Sequence, residues 1–163
     1  MMKSFRLTIY LLAGFLILHA CKEESKKVIK TEPIVFTKEG ELQIFTTTTD
    51  SLLAKIDIEI AETSYETETG LMYRKGMEEY QGMLFIFEDM RLHNFYMKNT
   101  EFPLDIVYIK DNMSIASFQE NAQPLDEKSL PSKVPVQYVL ELNAGLVQKW
   151  GLKVGDSIAF KRL

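Results

Sequence analysis

Met83-Leu84-Phe85-Ile86-Phe87 is an unbroken apolar run, preceded by Gly82 and followed by Glu88-Asp89. A run this short does not make a helix. With apolar residues on both alternations it needs cover on both faces, so it reads as a buried strand at the centre of a core. Upstream, Ile56-Asp57-Ile58-Glu59-Ile60 alternates apolar and acidic residues like a strand with one wet face, and Leu42, Ile44 and Thr46 alternate in the same way. Downstream, strands are predicted over residues 94–98, 104–110, 114–120, 137–142 and 157–161, with Asp111-Asn112 turning a hairpin. Helical signals are few. Ser64 before Tyr65-Glu66-Thr67-Glu68 opens one helix of about residues 64–74, and Asn143 caps a second of about 144–150 that Gly151 stops. Many short strands without strand-helix alternation predict a mainly β fold, an antiparallel β-sandwich or partly closed barrel with two short helices.

The chain has 163 residues, 46% hydrophobic and 26% charged, a globular composition. Lys and Arg number 19 against 23 Asp and Glu, a net charge of −4, so no basic surface argues for a nucleic-acid partner. A single cysteine, Cys21, excludes an internal disulfide and a thiolate zinc cluster. Lys3 and Arg6 precede a mostly apolar stretch from Leu7 to Leu18, shorter than the roughly 20 residues of a membrane span and suited to a signal-peptide core. Leu18-His19-Ala20-Cys21 follows and resembles the lipobox of bacterial lipoproteins.

That resemblance implies cleavage after residue 20 and acylation of Cys21, which holds the protein to a bilayer surface. The expected location is the cell envelope, lipid-anchored to the outer membrane on its periplasmic or surface side. Lys22-Glu23-Glu24 resembles the export signal of surface-displayed lipoproteins. Residues 1–20 thus read as signal peptide and 21–41 as a tether, with a short strand at Pro33–Thr37 near its end. Residues 42–163 read as a single domain, expected to be a monomer.

Several blocks appear in order along that domain: Gly70-Leu71-Met72-Tyr73-Arg74, Gly82 to Phe87, Phe95 to Thr100 with Pro103-Leu104-Asp105, Asn121 to Pro124, and Tyr138 to Gly145. Together they resemble the DUF192 (UPF0127) family over about residues 56–160, with Tyr96 standing where the family usually has Trp. The resemblance implies a compact β-rich domain with small helices, and an unassigned function with no catalytic residues to carry over.

The chemistry must therefore come from the residues. Lys98, Asn99, Asp105, Glu141 and Asn143 lie within or at the ends of apolar strands, where polar groups need partners. In one reading they form a fold-stabilising network in which Lys98 pairs with Asp105 or Glu141. In the other they ring a pocket that holds a sugar, peptide or carboxylate-bearing ligand. A lipid-anchored module binding a small ligand, an envelope glycan or a protein follows from the second reading. An enzymatic alternative is an envelope hydrolase or transferase with Asp105 and Glu141 as acid and base, and a structural partner domain with an exposed aromatic edge is a third. Met83, Met90, His93 and Met97 suit Cu(I) by donor type, but Met83 and Met97 read as core filler and no metal or cofactor is assigned. His93, the only histidine beyond the signal peptide, has no nucleophile signature around it.

Overall fold

The computed structural model describes residues 34–163; the expected signal peptide, Cys21 and the expected tether up to residue 33 lie outside the described residues. The domain is mainly β, with nine strands and two short helices among the described residues. In chain order these are β1 (Gly40–Phe45), β2 (Leu52–Ala61), α1 (Ser64–Thr69), β3 (Gln81–Arg91), β4 (Asn94–Phe95), β5 (Leu104–Ile109), β6 (Ile115–Ala122), β7 (Leu130–Pro131), β8 (Val136–Asn143), α2 (Leu146–Trp150) and β9 (Ser157–Arg162). Seven strands form one sheet in the order β6-β5-β8-β3-β2-β1-β9, and β4 and β7 form a small second sheet. Of the short strand expected at Pro33–Thr37, the described residues 34–37 carry no strand, and residue 33 lies outside the described residues.

The apolar run sits where its composition requires, in β3 between β2 and β8. Leu84 joins one hydrophobic cluster together with Leu42, Ile44, Ile56, Ile58, Val107, Ile109, Leu140 and Leu142, and Ile86 packs against it. Met83 and Phe85 join the other, with Leu71, Met97, Leu104, Ile106, Tyr108 and Val139, and Phe87 packs against that one. A pleated strand points successive side chains to opposite faces, so the sheet carries one core on each face. The first cluster draws residues from β1, β5, β6 and β9 onto α2, so the sheet curls over that face. It does not close into a barrel. Among the described residues its outer strands meet at a bridge between Ser114 and Ser157, where Ile115 N donates to Asp156 O at 2.7 Å, Ile158 N to Met113 O at 2.9 Å and Gly155 N to Ile115 O at 2.9 Å.

All pairings are antiparallel except β2 with β3, which run parallel. The antiparallel expectation is corrected at that one place. Residues 62–80, including α1, carry the chain back across the sheet so that β3 starts at the same end as β2. The helices are shorter than their sequence signals. Thr63, not Ser64, caps α1, through a capping box with Glu66, and the helix stops at Gly70 with φ of 49° rather than running to residue 74. Gly145, not Asn143, precedes α2, and it offers no side-chain cap.

Candidate functional site

β5 and β8 pair in register, with Asp105 opposite Leu142 and Ile106 opposite Glu141. Directly opposed residues share a face and neighbours along a strand do not, so Asp105 and Glu141 stand on opposite faces of the sheet. They cannot act as an acid/base pair on one substrate. The hydrolase or transferase reading built on them is overturned, because the sheet itself lies between the two carboxyls.

On its face, Asp105 is fully used. It is 1% exposed, its Oδ1 accepts from Asn121 N at 2.8 Å and its Oδ2 from Val147 N at 2.9 Å. Val147 N is one of the free donors in the first turn of α2, so β5 supplies the cap that Gly145 lacks. Nor does Lys98 pair with either acid: it is exposed and makes no ion pair among the described residues. Asn99 adopts a left-handed backbone with φ of 59°, and its Nδ2 donates to Tyr73 Oη at 2.9 Å while its carbonyl accepts from Tyr73 N at 2.8 Å. Asn143 Nδ2 donates to Met77 O at 2.8 Å and Glu78 O at 3.1 Å, fastening the segment that leads into β3. The five polar residues thus serve separate places rather than one network or one pocket mouth.

Glu141 is different. Its side chain points to the face of Phe85 and Ile106, is 6% exposed, and has an Oε2 with no hydrogen-bond partner among the described residues. Burial pushes this carboxyl up to about 8, against a partial offset from the Arg74 guanidinium, so it is mostly protonated at neutral pH. Arg74 does not reach it with a hydrogen bond. It pairs instead with Glu59, and both partners are largely buried. Glu59 therefore lies under cover on the strand that the acidic alternation marked as wet, while Asp57 keeps the solvent side with Lys38 at 2.8 Å.

Over Glu141 lies a cavity of about 240 Å³. The end of α1 and the residues after it, Thr67 to Met72, form one wall, Phe85 and Phe87 of β3 another, and His93, Asn94, Phe95 and Tyr96 a third. Gly70 passes so close that a Cβ there would stand 3.0 Å from Phe85 Cζ and 3.9 Å from Glu141 Oε2, and its positive φ also disfavours any side chain. The small sheet positions the third wall: His93 N donates to Ser132 Oγ at 3.2 Å and its carbonyl accepts from Ser132 N at 2.9 Å, beside the β4–β7 pairing.

His93 is 8% exposed and stacks on Phe87 with ring centroids 3.7 Å apart. Burial, and then Arg91, lower its affinity for a second proton, so the neutral ring prevails at pH 7, and its Nε2 has no partner among the described residues. Phe85 meets Phe95 edge-to-face at 5.1 Å, and Phe95 meets Tyr108 at 6.1 Å. Two buried polar atoms without partners thus belong to residues lining one aromatic cavity. Nothing in the described residues assembles three or more His, Cys, Asp or Glu as a metal site. Met83 and Met97 pack in the core and Met90 is exposed.

Of this site the sequence reading held Glu141 as a candidate and weighed His93 only as a metal donor or catalytic base. It missed the ring-bearing pair of segments, Phe85 to Phe87 and Phe95 to Tyr96, with the domain's one histidine between them. That density of aromatics around His93 was the available signal.

Residues 44–160 match DUF192, described as "Uncharacterized ACR". The chain belongs to the DUF192 family. Two solved structures resemble this DUF192 domain. A candidate transcription regulator from Sinorhizobium meliloti is 36% identical, with a TM-score of 0.72 over 79% of this chain and 98% of its own. A protein of unknown function from Novosphingobium aromaticivorans is 30% identical, with a TM-score of 0.70 over 80% of this chain and 94% of its own. No curated protein sequence matches the chain.

Proposed function

We propose that this DUF192 protein is a lipid-anchored envelope protein whose domain binds a small ligand in the cavity over Glu141 and His93. The anchoring half rests on the Leu18-His19-Ala20-Cys21 resemblance. The binding half rests on one observation above all: a buried carboxyl whose Oε2 has no partner among the described residues and whose residue lines a cavity. Leaving a buried polar group unpaired costs about 1–3 kcal/mol, and native proteins keep few such groups. A bound molecule that supplies the missing partner recovers this free energy. At about 240 Å³ the cavity falls below the roughly 300 Å³ where drug-sized sites begin, so a small molecule fits it better than a chain of sugars or a peptide.

Two experiments test the two halves. Cys21→Ser in the producing cell is expected to leave the protein as unprocessed precursor or in the soluble fraction. A variant still processed and still membrane-bound refutes the anchor. For the cavity, a set of small polar and apolar fragments is titrated into the full chain in detergent, followed by thermal unfolding. At least one fragment raises the melting temperature of the wild type and fails to do so when Glu141→Leu removes the unpaired carboxyl; no shift from any fragment refutes the binding reading.

A further inference from the structure

The ionisable side chains of the cavity wall, beside the neutral His93, are carboxyls. Glu141 forms part of its wall and Glu68 is an exposed member of the same lining, and among the described residues no lysine or arginine lines it. The four rings of Phe85, Phe87, Phe95 and Tyr96 make up much of the rest. Ring faces carry a negative quadrupole and attract cations within about 6 Å, most strongly where water is displaced. An anion would meet the Glu68 carboxylate at the rim and no lysine or arginine in the wall. A neutral molecule could bond to Glu141 but would leave the rings without their complement. We infer that the cavity is a site for a small organic cation, an amine whose charged head meets Glu141 and whose apolar body lies among Phe85, Phe87, Phe95 and Tyr96. This rests on the cavity being a ligand site, as proposed above, and names the class of ligand.

The groups facing Glu141 shape the consequence. Arg74, from the segment after α1, already spends its charge on Glu59. Tyr108 of β5 is held neutral by burial and by Glu141 itself, and donates its hydroxyl to Leu130 O. His93 is neutral and offers a free ring nitrogen, and Glu68 is at the exposed rim. None of these supplies a cation in hydrogen-bond contact with the Glu141 carboxyl. An arriving ammonium does, so it favours the carboxylate and expels the proton that burial retains. Below about pH 8 binding therefore releases close to one proton, and affinity climbs toward tenfold per pH unit until that value is reached.

The test uses three molecules of one shape on the full chain in detergent: cyclohexylamine, which is cationic at pH 7, cyclohexanol and cyclohexanecarboxylate. Calorimetry in two buffers of different ionisation enthalpy reads affinity and proton release together. The amine is expected to bind at least tenfold more tightly than the alcohol, with the carboxylate weakest, and to release a proton at pH 6.5. Glu141→Gln is expected to abolish the release and reduce amine affinity at least tenfold. Phe95→Leu is expected to weaken the amine more than the alcohol, since it removes a ring while keeping apolar volume. Equal affinity for amine and alcohol, or preference for the carboxylate, overturns the cation inference and leaves the cavity reading in place. If none of the three binds, the cation inference falls, and the cavity reading falls with it only if the wider fragment set also fails.

Discussion

Asp105 and Glu141 are carboxyls on neighbouring strands, both buried, one register step apart, and opposite in every other respect. Asp105 spends both oxygens on backbone N–H groups, one of them in the first turn of α2. Glu141 has an oxygen that nothing among the described residues satisfies, and a raised proton affinity. Burial alone therefore does not distinguish a structural acid from a site. What separates them is whether the fold completes the hydrogen bonds of the group or leaves them for something else.

The contrast can be broken most directly at Asp105. Asp105→Asn keeps one acceptor and sets an NH₂ against a backbone donor, so two bonds to a charged acceptor are weakened or lost. A cost of about 3–5 kcal/mol is expected, read by urea denaturation. A loss below about 1 kcal/mol would mean that this carboxyl is not the clamp of α2. Glu141 should show the opposite sign. The folded protein retains its proton up to about pH 8, whereas the unfolded chain gives it up in the ordinary carboxylate range. Wild-type stability should therefore fall by about 2–3 kcal/mol between pH 5 and 7, and go on falling until about pH 8, an effect absent from Glu141→Gln. Thermal unfolding of both proteins from pH 5 to 9 makes the comparison, and parallel curves would show that Glu141 is not perturbed.

Smaller effects sharpen the division of labour. Asn143→Ala removes two bonds to the Met77 and Glu78 carbonyls and is expected to cost about 1–2 kcal/mol in denaturation while leaving fragment binding in the cavity intact. Lys98→Ala, at an exposed position with no ion pair among the described residues, should change stability by less than about 0.5 kcal/mol. A larger change at Lys98 would restore the network that the geometry dissolves.

These residues also show what a sequence makes legible. The apolar run at β3 and the alternation in β1, β2 and β8 announce strands and faces because a pleat has a period of two, so the opposite orientation of Glu141 to Leu140 and Leu142 was readable. Which strand pairs with which was not. Nothing local in residues 62–80 distinguishes a crossover from a long turn, so the parallel β2–β3 pair escaped. The same limit hid Arg74 covering Glu59, and it made Lys98 a plausible partner for acids that pairing sets elsewhere. The cap of α2 arrives from β5, far along the chain, while the local candidate, Asn143, is occupied by another segment. His93 looked inert because its significance is spatial: β4, β7 and β3 bring it to the cavity wall.

The place of β9 has a consequence for the order in which the protein can fold. β9, the last of the nine strands, pairs with β1, the first, from Gly40 opposite Arg162 to Phe45 opposite Ser157. Leu163 N adds a bond to Glu39 O at 3.0 Å. A polypeptide that emerges with its first residues ahead thus holds β1 with one bare edge until residue 162 is available. Contacts so distant along the chain slow folding, and a bare strand edge invites pairing with another copy. Completion of the sheet is therefore a late event in folding, and a chain stopped before Ser157 should aggregate through β1 rather than fold.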